Sequence, residues 1–188
     1  MIELGKIQKL EVVREKTFGV YLAEGSGEAA SVLLPKKQVP SGIKIGDSIT
    51  VFIYKDSEDR LIATTETPRL QVGETAVLTV KDVSRIGAFL DMGLEKDLLL
   101  PFKEQSHPVK KGEECLVALY VDKSSRLAAT MRVYHYMSNQ SPYQKDDKVR
   151  GRIYEINENL GAFVAVDNRY YGLIPKKEIF QDLRGGEE

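Results

Sequence analysis

The chain has 188 residues, 42% of them hydrophobic and 29% charged, and carries a net charge of −1. That balance excludes a disordered chain and a polycation, and no apolar run approaches the length that crosses a bilayer. One cysteine and two histidines exclude an internal disulfide framework and leave too few ligands for a structural zinc site.

Met1-Ile2-Glu3-Leu4-Gly5-Lys6 lacks the basic start and apolar core of a signal peptide, so a cytoplasmic address is expected. Gly5, Val12 and Val13 then lead into Thr17-Phe18-Gly19-Val20-Tyr21-Leu22, and an apolar triplet closes on proline at Val32-Leu33-Leu34-Pro35. Gly46-Asp47 follows. Ile49, Val51 and Ile53 alternate with Thr50, Phe52 and Tyr54, the period of a half-buried strand. The polar turn Asp56-Ser57-Glu58-Asp59-Arg60 and the short run Leu61-Ile62-Ala63-Thr64 end this segment.

The same register then recurs. Gly73, Val80 and Val83 lead into Arg85-Ile86-Gly87-Ala88-Phe89-Leu90, followed by Leu98-Leu99-Leu100-Pro101, Gly112-Glu113, Asp122-Lys123-Ser124-Ser125-Arg126 and Leu127-Ala128-Ala129-Thr130. A third copy runs from Asp147 through Ile153 into Asn159-Leu160-Gly161-Ala162-Phe163-Val164, Gly172-Leu173-Ile174-Pro175 and Gly186-Glu187. In each copy the start lies 14 residues before the glycine, and a Gly-acid pair follows 11 residues after the proline. The third copy ends at Glu188, before its last turn and last two strands, so the sequence reads as part of a longer chain. Expected domains are 1–67, 68–138 and 139–188, the third incomplete.

Five short runs per copy, separated by Gly, Pro and Asp/Ser clusters, predict an all-β protein of tandem five-stranded OB-type barrels. Only Lys36-Lys37-Gln38, Phe102-Lys103-Glu104 and the stretch after Pro175 suit a turn of helix. The linker 134–143, rich in polar residues, is expected to be the softer joint.

Catalytic chemistry finds little support. His107 and His135 fall in a loop and a linker, without a Cys, Asp or Ser at a spacing that suggests a triad, so solvated histidines are expected. Cys115 aligns with the inward Ile49 and reads as a buried small hydrophobe. Asp91, Glu95 and Asp97 read as a solvated loop, no cofactor motif is present, and the chain is expected not to be an enzyme.

Aromatics are more telling. Tyr21, Phe89 and Phe163 each follow the repeat glycine by two residues, and Phe18 precedes Gly19. Strands two and three of an OB barrel commonly hold single-stranded nucleic acid on stacking aromatics. Spacing alone leaves open whether these rings face outward or fill the barrels. Lys148, Arg150 and Arg152 alternate on the expected first strand of copy three, and Lys176-Lys177 follow Pro175, a track suited to phosphate. No copy departs from neutrality by more than one charge: residues 1–66 hold 9 basic and 10 acidic side chains, 67–138 hold 10 and 9, and 139–188 hold 8 and 9. Any binding should therefore be weak and salt-sensitive.

Each copy resembles an S1 RNA-binding domain, on the pattern Leu160-Gly161-Ala162-Phe163 with Gly172-Leu173. The stretches Val51-Phe52-Ile53-Tyr54-Lys55-Asp56-Ser57-Glu58-Asp59-Arg60 and Gly87-Ala88-Phe89-Leu90-Asp91-Met92-Gly93-Leu94-Glu95-Lys96-Asp97-Leu98 resemble the bacterial conserved virulence factor B family. That resemblance implies a cytoplasmic protein with tandem S1 domains and a carboxy-terminal winged helix, binding RNA and affecting gene expression. By the S1 pattern it implies RNA contacts at Phe18, Tyr21, Asp56 and Arg60 in copy one, at Phe89, Asp122 and Arg126 in copy two, and at Phe163 in copy three. Ile86 and Leu160 replace the first aromatic, and Pro35, Pro101 and Pro175 stand where the pattern has histidine. The expected partner is single-stranded RNA, bound by a monomeric chain without membrane contact. The alternative is a protein-interaction scaffold, its nucleic-acid binding carried mainly by a part that follows.

Overall fold

The computed structural model describes residues 1–25 and 30–188, and the described chain is built of strands and short 3-10 turns. Copy one forms β1 (Ile7–Lys16), β2 (Gly19–Ala23), β3 (Val32–Pro35), β4 (Ser48–Lys55) and β5 (Leu61–Thr64). They close into a barrel in the order β1-β2-β3-β5-β4, with β3 and β5 parallel and the other strand pairs antiparallel. Leu10, Val12, Val20, Leu22, Val32, Leu34, Val51, Ile53 and Ala63 fill its interior. These are the inward residues of alternating strands, so the period of the sequence is the period of the core.

Copy two forms β6 (Thr75–Val83), β7 (Gly87–Leu90), β8 (Leu98–Pro101), β9 (Glu114–Val121) and β10 (Leu127–Thr130), joined in the order β10-β9-β6-β7-β8. Copy three forms a three-stranded sheet of β11 (Gly151–Asn157), β12 (Gly161–Val166) and β13 (Tyr170–Pro175). A 3-10 turn follows each closing proline, at Lys36–Gln38, Phe102–Glu104 and Lys176–Glu178, where the sequence suits a helical turn. Backbone contacts group Met1–Val72 with Gly93–Lys96 and Val121–Leu127 in one compact unit, and Gly73–Met92, Asp97–Tyr120 and Ala128–Glu188 in a second.

Two repeated motifs acquire a structural meaning. The first strand of every copy shifts register once against the second, between Val12 and Arg14, Val80 and Asp82, and Ile153 and Glu155. The Gly-acid pair docks there. Val12 N donates to Asp47 O and Gly46 N to Val12 O, with the same exchange between Val80 and 112–113 and between Ile153 and 186–187. The acid side chain then accepts a backbone N–H three residues earlier, from Lys44, Lys110 or Arg184. The residue before each bulge thus has its backbone N–H and C=O paired in all three copies.

The repeat glycine answers a backbone approach. A Cβ on Gly19 would lie 2.2 Å from Leu34 O, on Gly87 2.2 Å from Leu100 O, and on Gly161 2.0 Å from Ile174 O, each glycine at positive φ. The close neighbour is the third strand itself.

Three details differ from expectation. Phe52 and Leu116, on the outer faces of their strands by alternation, are fully buried along with their inward neighbours. For Leu116 the reason is a second core, where Leu116, Ala118 and Val133 pack with Tyr154 and Ala165 of copy three. The linker 134–143, where a soft joint is expected, instead begins with a 3-10 turn at Tyr134–Tyr136, and Tyr136 and Met137 pack on that core. Finally, β11 starts at Gly151, so Lys148 and Arg150 precede the strand and form no stripe along it.

Candidate nucleic-acid interface

Strand pairing decides which way the aromatics face. Val20 and Leu22 point into barrel one, so Tyr21 between them points out, half-buried. Its cross-strand neighbours continue an outward row: Arg14 on β1, Leu33 on β3, Ile62 on β5 and Tyr54 on β4. Phe18, in the turn before β2, is 54% exposed and meets Tyr21 edge-to-face, ring centroids 6.2 Å apart. Two aromatic rings at one end of an apolar row form a platform of the kind that stacking of bases uses.

Charge frames this platform. The Arg14 guanidinium carbon lies 4.7 Å from the Tyr21 ring centroid, and Arg14 Nη2 donates to Ser31 Oγ at 2.9 Å. Arg14 is a candidate contact that spacing along the sequence does not single out. Its signal is the cross-strand register, which spacing from the glycine does not reveal.

In the last turn Asp56 holds the loop. Its Oδ1 accepts the backbone N–H groups of Glu58 and Arg60, and its Oδ2 accepts Arg60 Nε at 3.0 Å. Burial works to raise the Asp56 pKa, but those backbone donors and the Arg60 guanidinium outweigh it and hold the carboxyl below its ordinary value. Arg60 also meets Glu58 Oε2 at 3.1 Å and stays 69% exposed. Asp56 is thus a positioning residue, and Arg60 is the side chain presented to solvent.

The other copies depart from this arrangement. Ala88 and Leu90 point inward, so Phe89 points out and lies beside Leu99, but its partner on β6 is Asp82. Ile86 is exposed in place of Phe18. Asp122 accepts the backbone N–H of Arg126 and both the N–H and hydroxyl of Ser124, and its carboxyl lies below its ordinary value, burial opposing and these donors prevailing. Arg126 reaches Asp59 Oδ2 at 2.5 Å, which ties it into an ion pair.

In copy three Phe163 pairs with Glu155 and is packed among rings, with centroids 6.0 Å from Tyr134, 6.1 Å from Tyr154 and 6.2 Å from Tyr171. Arg150 is exposed and Arg152 only 12% so; both reach Glu188, and Arg152 Nη1 donates to Gly186 O. Lys176 and Lys177 are exposed on their 3-10 turn. Of the residues expected to contact RNA, the structure therefore gathers Phe18, Tyr21, Asp56 and Arg60 on one barrel, while Phe163 and Arg152 are taken up in packing.

Groups with catalytic potential are elsewhere. Cys115 is buried, and burial pushes its thiol up to about 11. His107 is packed where a solvated ring is expected: burial lowers its pKa, partly offset by Glu113, and it lies against Gly185. Glu95 pairs with Lys37 and Asp97 with Lys81. Among the described residues, no three His, Cys, Asp or Glu side chains cluster as metal ligands, and no helix is long and apolar enough to cross a membrane.

Sequence comparison finds the S1 domain signature at residues 4–66 and again at 72–132. The chain belongs to the S1 domain family. Over 97% of its length it is 29% identical to uncharacterized protein YitL of Bacillus subtilis, and over 98% it is 23% identical to conserved virulence factor B of Staphylococcus aureus. It spans 63% and 64% of those relatives. A crystal structure of a multidomain protein with nucleic acid binding domains from Streptococcus pneumoniae shares the fold at a TM-score of 0.63 and 19% identity, covering 98% of this chain and 66% of that one.

Proposed function

We propose that this chain is a non-enzymatic RNA-binding protein that holds single-stranded RNA on the outer faces of its S1 barrels and acts in bacterial gene expression. Its working division is 1–67, 68–138 and 139–188, in the cytoplasm and as a monomer. The observation that carries the reading is the outward phase of Tyr21, with Phe18 set edge-on beside it and Arg60 exposed in the last turn. Stacked bases need only a π-face, so such a platform binds single strands with little sequence preference. Membership of the S1 family and the nucleic acid binding domains of the pneumococcal protein of like fold support the same reading.

A protein-interaction scaffold is the second reading, favoured by one specific observation: the packing of Phe163 against Tyr134, Tyr154 and Tyr171, which turns a family binding position to intramolecular use.

The test is the triple variant Phe18→Ala, Tyr21→Ala, Arg60→Ala. A stacked base contributes about 1–3 kcal/mol, so loss of two rings should weaken RNA binding by roughly tenfold or more. Affinity unchanged from the parent chain would overturn the proposal.

A further inference from the structure

The three copies share a backbone plan but not the charge beside their outward aromatic. Directly after the register shift of each first strand stands the residue opposite that ring: Arg14 opposite Tyr21, Asp82 opposite Phe89 and Glu155 opposite Phe163. The difference extends to the next strand. Arg14 is held by Ser31, whereas the position corresponding to Ser31 in copy two, four residues before the closing proline, is Asp97, paired with Lys81 at 2.9 Å.

A base stacked on the ring brings its phosphodiester within reach of this neighbour. A planar guanidinium there pairs with phosphate or stacks on a base, while a carboxylate repels the same group. The outward aromatic supplies adhesion in copies one and two, whereas Phe163 is engaged by Tyr134, Tyr154 and Tyr171, and the cross-strand residue sets whether a polyanion is admitted.

Resting on the reading that the S1 barrels hold single-stranded RNA, we infer that Arg14 is the phosphate-contacting residue that makes barrel one the principal site, and that Asp82 weakens the equivalent face of copy two, while in copy three Glu155 stands opposite a ring already engaged in packing. A single exchange at Asp82 should then strengthen the second face, since Phe89 and Leu99 already lie outward beside it.

The probe is a fluorescently labelled ten-nucleotide oligouridylate titrated into the full 188-residue chain at several salt concentrations. Arg14→Glu should weaken binding at least about tenfold. Arg14→Gln should reduce the slope of log affinity against log salt by about 0.7, the value for one lost phosphate contact on a single strand, while Arg14→Lys should keep the slope. Asp82→Arg, added to the Phe18→Ala, Tyr21→Ala, Arg60→Ala background, should restore binding that a further Phe89→Ala abolishes. Arg14 is exposed, so unchanged thermal melting of each variant is expected and excludes misfolding as the cause. If the triple variant loses binding while Arg14→Glu stays within roughly twofold of the parent and Arg14→Gln keeps the slope, the selector role falls and the barrel-one site stands. If the parent chain fails to bind at low salt, both fall together.

Discussion

Cys115 and Gly19 show how a residue's surroundings settle its role. Cys115 lies inside the second copy, where burial raises its thiol to about 11, so at pH 8 the thiolate is scarce and shielded. Alkylation by iodoacetamide at pH 8 should therefore be slow in the folded chain and rapid in denaturant, as read by mass spectrometry; rapid labelling of the native protein would contradict the burial. Gly19 faces a carbonyl 2.2 Å from any added Cβ, at a φ of +151°. Gly19→Ala should lower unfolding stability by about 1–3 kcal/mol from backbone strain alone, measured by chemical denaturation. A variant as stable as the parent would show that the third strand yields easily. From sequence, the recurrence of this glycine is plain, but a ligand approach and a strand approach look identical. Only the position of Leu34 O distinguishes them. Likewise the apolar spacing locates Tyr21 without its phase, because Val20 and Leu22 are equally good inward residues.

At the scale of elements, the turn 56–60 of barrel one is held by Asp56. Asp56 has a depressed pKa in the folded chain, so the stability it contributes is complete above the ordinary Asp value of about 3.9 and is lost as pH falls through the lower folded value. An NMR titration should find its carboxyl midpoint below the ordinary value, with the Glu58 and Arg60 amide signals moving at the same pH. A midpoint at or above that value would mean that the turn is not held by this carboxylate. The acid at the start of each turn and the arginine at its end are visible in sequence, yet their partners are not. Arg60 bonds back to Asp56, whereas Arg126 reaches Asp59. The Gly-acid pairs are the converse case: their spacing is exact in sequence, and their docking on the bulged first strand explains it.

For the whole molecule, repetition makes the architecture readable, because each copy restates the same alternation, turn and proline. What repetition hides is how the copies diverge. Leu116 and Phe163 look like ordinary strand residues, but one lies in a second core formed with copy three and the other packs against it beneath the linker rings. Arg152, expected on an open basic stripe, is drawn inward to Gly186 and Glu188. With near-neutral charge throughout, the proposed binding depends on a local arrangement, and among the described residues barrel one combines outward aromatics with Arg14 and Arg60. The most direct measurement is a fluorescence-anisotropy titration of labelled single-stranded RNA with the 188-residue chain at low and physiological salt. Saturable binding that weakens steeply with salt is expected from stacking combined with phosphate contact. No binding at low salt would contradict an RNA site on these barrels and favour the scaffold.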